Sequence, residues 1–336
     1  MRFKTILLLM ATVASCADAT PVRAPAIRRR WSTELSLSRR NVDPASTHQR
    51  RTDVPLKEYL LDSVYWAQVD VGTPPQPFFV NIDTGSPFLL LLNNTCSGPN
   101  GKVCSTVTSF NPSASSTLVP ADPNTTPNNV SYSDGSSFRG PVLSDTVTLG
   151  GVTAHNMNFT LVDTLGDAPD NSFQGASGLI GLALGSDFFA SISRSGQLPA
   201  EWNGFGMALA RRPDRETPTQ PEVVRGGTFW LGEPSQSDFA GEFYSVAVDV
   251  ATAKTTGKWD IPLDSVTVQG VNIPTTGLIT LVDSGSTRSS VPIKGPGTDG
   301  WKHVLQVPTG GNGRECGPEK GSQNFVRLPF SWHADV

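Results

Sequence analysis

The sequence predicts an all-β, turn-rich fold, large enough for two domains or one bilobal unit, on three observations. Charged residues make up only 17% of the 336 residues, whereas Gly (32) and Pro (27) are abundant, a composition that favours short strands and turns over helices. From Leu56 onward, short alternating or apolar runs are separated by turn residues. Two of these runs, Phe79–Ser86 and Thr280–Thr287, end alike: apolar residues lead into an aspartate, then a small hydroxyl residue, a glycine and another hydroxyl residue.

Taken in order, the chain opens with Arg2 and Lys4, an apolar stretch from Ile6 to Ala14, and the small residues Ala14, Ser15, Cys16, Ala17 and Ala19. This is the pattern of a secretory signal over 1–19, with an apolar core too short to span a bilayer. No later stretch is long and apolar enough to span either, so a secreted, extracellular chain with no membrane partner is expected. Residues 20–56 differ in composition. Between Pro21 and Pro55 stand eight arginines, Arg23, Arg28, Arg29, Arg30, Arg39, Arg40, Arg50 and Arg51, against Glu34, Asp43 and Asp53. That arm carries about +5 and residues 1–20 about +1, which against a total of −4 leaves about −10 for the body. A basic arm before an acidic body suits a propeptide that binds its own cleft and lets go in acid. Arg50-Arg51 has the form of a processing site; a solvated tail without inhibitory role is the alternative. The slight net negative charge, with no basic stretch interleaved with aromatics in the folded part, excludes a nucleic-acid partner.

The body divides into 57–240 and 241–336. Tyr65–Val71 alternates, Gly72–Gln76 turns, Phe78–Ile82 delivers Asp83, and Phe88–Leu92 forms the next apolar strand. Val130–Gly140 reads as a hairpin with Ser133-Asp134-Gly135 at its tip. Gly178–Leu184 is an apolar run too short for a helix, Phe188–Ser195 fits one short helix, and Thr228–Gly232 is a strand. Residues 236–250 carry the crossover to the second half, where Trp259–Leu263 and Ser265–Gly270 supply strands before Thr280–Asp283. Asn93, Asn124, Asn129 and Asn158 each begin an N-x-S/T glycosylation sequon.

An aspartate at the end of a buried β-run needs backbone donors and a partner group to hold it. Two such carboxylates in contact do not both ionise at moderate pH; one keeps a proton while the other is a base, which activates a water and protonates a carbonyl or leaving nitrogen. Gly85 and Gly285 let backbone amides approach, and Thr84 or Ser284 can hydrogen-bond across the pair. The chemistry needs no metal or cofactor.

Five motifs, in order, resemble the pepsin-like (family A1) aspartic endopeptidases, of the secreted type found in fungi: Gly72-Thr73-Pro74-Pro75-Gln76, Asp83-Thr84-Gly85-Ser86, Val130–Ser136, Gly178-Leu179-Ile180-Gly181-Leu182 and Asp283-Ser284-Gly285-Ser286. The resemblance implies a bilobal all-β fold and hydrolysis of peptide or protein substrates at acidic pH, between bulky apolar residues, by a monomer. It implies Asp83 and Asp283 as the catalytic pair, supported by Thr84, Gly85, Ser86, Ser284, Gly285 and Ser286. The hairpin becomes a flap, with Tyr132, Asp134 and Gly135 over the cleft, and the Gly178 run packs beneath Asp83. Cys96 and Cys104, with seven residues of flexible loop between them, are read as a local disulfide, which the family often carries after its first aspartate. With no histidine nearby they are not read as a metal site.

The likeness stops beyond Pro292. Only 53 residues follow Asp283, whereas 157 separate Asp83 from the crossover near 240. No equivalent of Leu179-Ile180-Gly181 follows residue 287, and the tail from about 293 is rich in glycine with little strand periodicity. Cys316 has no partner once Cys16 leaves with the signal. Arg288 stands where the family places an uncharged residue, and Phe88–Leu92 lacks the tryptophan common beyond the first motif. The expected second lobe is therefore incomplete, and a catalytically impaired homologue acting as a binding protein, or a truncated gene product, is the alternative to an enzyme. Serine hydrolase chemistry is excluded because His48, His155, His303 and His333 lie in no matching motif, and the surroundings of the two aspartates do not suggest a glycosidase.

Overall fold

A computed structural model describes residues 3–7, 51–59, 64–98, 107–166, 173–198, 204–210, 223–233, 244–268, 271–286, 288–293, 303–308 and 330–334. For 3–7, 244–245, 264, 266–268, 271–277, 288–293, 303–308 and 330–334 only the backbone path is described. The strands run β1 (Phe3–Leu7), β2 (Arg51–Tyr59), β3 (Val64–Val71), β4 (Gln76–Asp83), β5 (Leu89–Ser97), β6 (Asn128–Ser131), β7 (Ser137–Gly140), β8 (Val142–Leu149), β9 (Val152–Leu165) and β10 (Gly178–Gly181). After helix α1 (Asp187–Ser195) come β11 (Phe205–Leu209), β12 (Val224–Gly232) and β13 (Tyr244–Ser245). Helix α2 (Val250–Thr256) precedes β14 (Asp260–Val268), β15 (Val271–Leu281), β16 (Arg288–Ile293), β17 (His303–Pro308) and β18 (Phe330–Ala334).

The amino-terminal half is one eleven-stranded sheet in the order β11-β12-β2-β3-β4-β10-β5-β9-β7-β6, with β8 pairing β3 and β9. Alternation decides what each strand buries. In β8, Leu143, Asp145, Val147 and Leu149 point inward while their neighbours are half-exposed. The inward Asp145 is held by the Thr117 hydroxyl at 2.6 Å and the Thr146 amide at 2.7 Å. In β4, Phe78, Val80 and Ile82 enter the main core, which also holds Val69, Leu91, Phe159, Ile180 and Phe229. Phe79, Asn81 and Asp83 therefore share the opposite face, where a second apolar cluster contains Trp66, Leu90, Phe138, Phe173 and Leu179.

The short run at Gly178 is a strand because it is wedged between two others. It lies parallel to β4, with Leu179 opposite Asn81, and antiparallel to β5, with Leu179 opposite Leu90. Every residue of β10 is buried, as expected for a strand covered on both faces and both edges. Helix α1 starts where Ser186 accepts the Phe189 amide and ends at Gly196, φ 67°; Phe188 and Ile192 are its buried residues.

Several expectations change. The boundary at 56/57 falls inside β2, whose residues Val54 and Leu56 are 5% and 1% exposed between β12 and β3; Arg51–Leu56 belong to the sheet. Trp259–Leu263 and Ser265–Gly270 are not two strands: Asp260–Val268 is one strand with an irregularity between Leu263 and Ser265. Helix α2, which begins where the crossover ends, was not anticipated. Only Ala253 of its seven residues is buried, so it has no apolar periodicity, although Asp249 caps its start and Gly257 its end. The tail expected to be irregular from about 293 contains strands: β16 pairs antiparallel with β17, and β18 pairs antiparallel with β1 and parallel with β13. Cys104, Cys316, Arg50 and most of the expected propeptide lie outside the described residues, as does the side chain of Arg288.

Among the described residues, the second half offers less sheet beneath its aspartate than the first. β14 and β15 form a two-stranded antiparallel pair, Asp260 opposite Leu281. Trp259 ties this pair to the first half. It is 1% exposed, its indole N–H donates to the Leu182 carbonyl at 2.7 Å, and its own carbonyl accepts the Val282 amide at 3.1 Å.

Candidate active site

Asp83 is the last residue of β4, and Asp283 follows β15 by two residues. Each strand pushes its aspartate into a tight turn, where the next-but-one amide satisfies it. The Gly85 amide donates to Asp83 Oδ1 at 2.8 Å, and the Gly285 amide donates to Asp283 Oδ1 at 2.8 Å. The two carboxyls lie in the hollow each glycine leaves. A Cβ on Gly85 would stand 2.5 Å from Asp283 Cγ, and one on Gly285 would stand 2.6 Å from Asp83 Oδ1. Any side chain larger than hydrogen would force the carboxyls apart.

The residues between aspartate and glycine lock the two turns together. The Thr84 hydroxyl donates to the Val282 carbonyl at 2.8 Å and accepts the Ser284 amide at 2.8 Å. Reciprocally, the Ser284 hydroxyl donates to the Ile82 carbonyl at 2.8 Å and accepts the Thr84 amide at 3.1 Å. Four hydrogen bonds thus join residues about 200 apart in sequence, with Thr84 fully buried. Beneath Asp83, its carbonyl accepts the Leu182 amide at 2.7 Å and the Ser86 carbonyl accepts the Ala183 amide at 3.0 Å. The run after Gly178 therefore supports the Asp83 turn, as the resemblance implies.

The site is asymmetric. Asp83 is 4% exposed and Asp283 is partly exposed. Burial first, and then the facing charge of Asp283, push the Asp83 carboxyl up from 3.8 to about 7. Hydrogen bonds from Ser86 Oγ and the Gly85 amide work against that rise. The Ser86 hydroxyl also lies 3.3 Å from the Tyr132 hydroxyl, which links the aspartate to the β6–β7 hairpin.

That hairpin pairs Ser131 with Ser137 and Val130 with Phe138. Its tip is closed by the Asp134 carboxylate, which accepts the Ser136 amide at 2.8 Å and the Ser136 hydroxyl at 2.7 Å, while Gly135 turns at φ 89°. Asp134 and Gly135 are exposed tip residues; Tyr132 faces the aspartates, its ring edge-on to Phe138 at 5.7 Å. Burial raises the Tyr132 phenol, as do the nearby carboxylates, so it stays a neutral hydrogen-bonding group throughout the ordinary pH range.

The family profile described as eukaryotic aspartyl protease matches residues 64–295, more than half of the chain and inclusive of both aspartates. The chain belongs to that family. Pepsin A of Sus scrofa is 32% identical over 243 residues, covering 71% of this chain and 58% of that protein. Pepsin A of Canis lupus familiaris is 29% identical over 302 residues, covering 85% and 73%. Major aspartyl peptidase 1 of Cryptococcus neoformans is 28% identical over 286 residues, covering 80% and 54%. The matches thus span between about half and three quarters of these relatives' own lengths. The family is one of aspartic-type endopeptidases, which act on peptide or protein substrates.

For an aspartyl protease, several supports could not be found from residue type. Leu182, Val282 and Ile82 lie in the runs the sequence singles out but act through their backbone carbonyls, which no residue type marks, and Trp259 acts through its indole N–H across the two halves. Of the expected glycosylation sites, Asn124, Asn129 and Asn158 are exposed and Asn93 is half-buried. The Asn158 amide is engaged by Ser144 Oγ at 2.6 Å and Asp187 Oδ2 at 3.4 Å. Among the described residues no group of three His, Cys, Asp or Glu side chains could hold a metal, and no helix is long and apolar enough to cross a membrane.

Proposed function

We propose that this chain hydrolyses peptide bonds at acidic pH through a water held between Asp83 and Asp283. One observation carries the reading: each carboxyl occupies the space that the other turn's glycine leaves open. At that separation one proton serves both groups, a pattern carried over from the aspartic proteases. The ionised member takes a proton from water, which attacks the scissile carbonyl, and the protonated member supplies a proton to the carbonyl oxygen. Asp83, buried and raised to about 7, suits the protonated role at acid pH. Ser86 steadies it, and Tyr132 closes over the site to exclude water. A non-catalytic binding role is the weaker reading, because the amides, the hydroxyls and both carboxyls are all in register.

The same proposal covers the chain's processing. Secretion and a basic propeptide fit the composition of residues 1–50, with removal near Arg50-Arg51 rather than at 56, since β2 from Arg51 onward is built into the sheet. Cys96, buried and disulfide-bonded, supports a bridge to Cys104, and exposed Asn124 and Asn129 are the best placed for glycans. The chain would act as a monomer. The decisive test is cleavage of an acid-denatured protein by the full chain between pH 2 and 7: Asp83→Asn abolishes it, and a variant that still cleaves at the wild-type rate refutes the assignment.

A further inference from the structure

Beneath the two aspartates the hydrogen bonds close into a ring. The Asp83 carbonyl accepts the Leu182 amide at 2.7 Å, and the Leu182 carbonyl accepts the indole N–H of Trp259 at 2.7 Å. The Trp259 carbonyl in turn accepts the Val282 amide at 3.1 Å. The Val282 carbonyl accepts the hydroxyl of Thr84, the residue after Asp83, at 2.8 Å. Val282 immediately precedes Asp283, so both aspartates hang from the same ring. Apart from the Thr84 hydroxyl and the Trp259 indole, every group in it is backbone.

The two aspartates differ in what lies below them. Asp83 stands over β10, a buried strand wedged between β4 and β5. Among the described residues, the sheet that carries β15 toward Asp283 has β14 as its one other strand. Trp259 stands just before β14, and its side chain crosses to the first half. There it is 1% exposed and lies edge-on to Phe205 at 5.9 Å. Phe205 is itself stacked on Phe189 at 4.8 Å and on Phe229 at 5.6 Å. A second tie lies close by, where the Gly257 carbonyl at the end of α2 accepts the Gly185 amide at 3.0 Å. The strand pair that carries Asp283 is thus fastened to the run that supports Asp83.

Burial of an aromatic ring stabilises without choosing a direction, and a phenylalanine would serve that purpose. A buried indole N–H needs an acceptor, so it fixes how the ring sits. Paired carboxyls depend on their spacing, and a misplacement of about 1 Å costs on the order of a hundredfold in rate.

We propose that Trp259 is a positioning residue for the reaction: its indole N–H, held by the Leu182 carbonyl, sets Val282 and hence the Asp283 carboxyl against Asp83. The inference rests on the protease reading. The test uses the full chain with 3-benzothienylalanine at position 259, which keeps the shape of tryptophan but has sulfur in place of the N–H, alongside Trp259→Phe. Two peptides are compared by calorimetry, without turnover. One carries a secondary alcohol in place of the scissile carbonyl, so that its hydroxyl replaces the water between the carboxyls; the other carries a methylene there. In the wild type the alcohol should bind at least about a hundredfold more tightly. Both replacements should lower that ratio by about tenfold, the size of one hydrogen bond to a charged group, with affinity for the methylene peptide unchanged within about twofold. In a parallel cleavage assay kcat should fall while KM stays within about twofold. A ratio unmoved by both replacements, or an equal loss of affinity for both peptides, overturns the inference and leaves Trp259 a packing role. Failure of the benzothienylalanine chain to fold does the same, because the N–H then serves the fold. A wild type that binds both peptides alike overturns the protease reading itself, and the positioning role with it.

Discussion

Replacing Asp83 with asparagine should remove a pH-dependent burden on the folded state. The Asp83 carboxyl rises from 3.8 to about 7 on folding, from burial and the charge of Asp283. Between those values the folded chain holds a proton that the unfolded chain has released. The contribution is therefore fully present below pH 4, is lost as pH climbs, and levels off above pH 7. At about 1.4 kcal/mol for each tenfold change in proton affinity, the whole interval is worth on the order of 4 kcal/mol. Asparagine has no proton to lose and can still accept the Gly85 amide. Urea unfolding of wild type and variant, followed by tryptophan fluorescence from pH 4 to 8, measures the effect. Titrating groups outside the pair are common to both proteins, so the difference curve reports the titration of the Asp83–Asp283 pair. Near pH 4 the two should be of similar stability, and above pH 7 the variant should be the more stable by several kcal/mol. Parallel curves across the range would refute the claim that Asp83 is buried against a second carboxyl.

Two further outcomes follow from the hydrogen bonds between the turns. Thr84→Val removes the donor to the Val282 carbonyl and the acceptor of the Ser284 amide, leaving two polar groups unpaired in a buried site. It should cost about 2–4 kcal/mol in thermal or urea unfolding, whereas Thr84→Ser should cost less than half as much; equal losses for the two would show that the hydroxyl is not the link. Ser86→Ala removes a hydrogen bond that lowers the Asp83 carboxyl, so the alkaline limb of the pH–rate profile should move upward. A downward move would mean that Ser86 stabilises the protonated form instead.

The extent to which the site was legible in the sequence differs between its parts. Asp83-Thr84-Gly85-Ser86 and Asp283-Ser284-Gly285-Ser286 could be paired because aspartate after an apolar run, followed by the smallest residues, makes sense only if something approaches closely. The β6–β7 hairpin was equally plain, since Ser133-Asp134-Gly135 between alternating residues has few other conformations. Helix α2 left no apolar pattern because it buries one alanine. The inward Asp145 was hidden because polar residues flank it in a strand whose buried positions otherwise carry leucine and valine.

What the amino-acid sequence determined by itself was local: where strands end, where the chain turns, and which residues could carry acid–base chemistry, because backbone preferences and alternation act over a few positions. Which of these meet was decided only in three dimensions. The crossed hydrogen bonds of Thr84 and Ser284 and the anchoring of Trp259 on Leu182 join positions tens to hundreds of residues apart. Such contacts depend on how sheets pack, and no spacing along the chain encodes them.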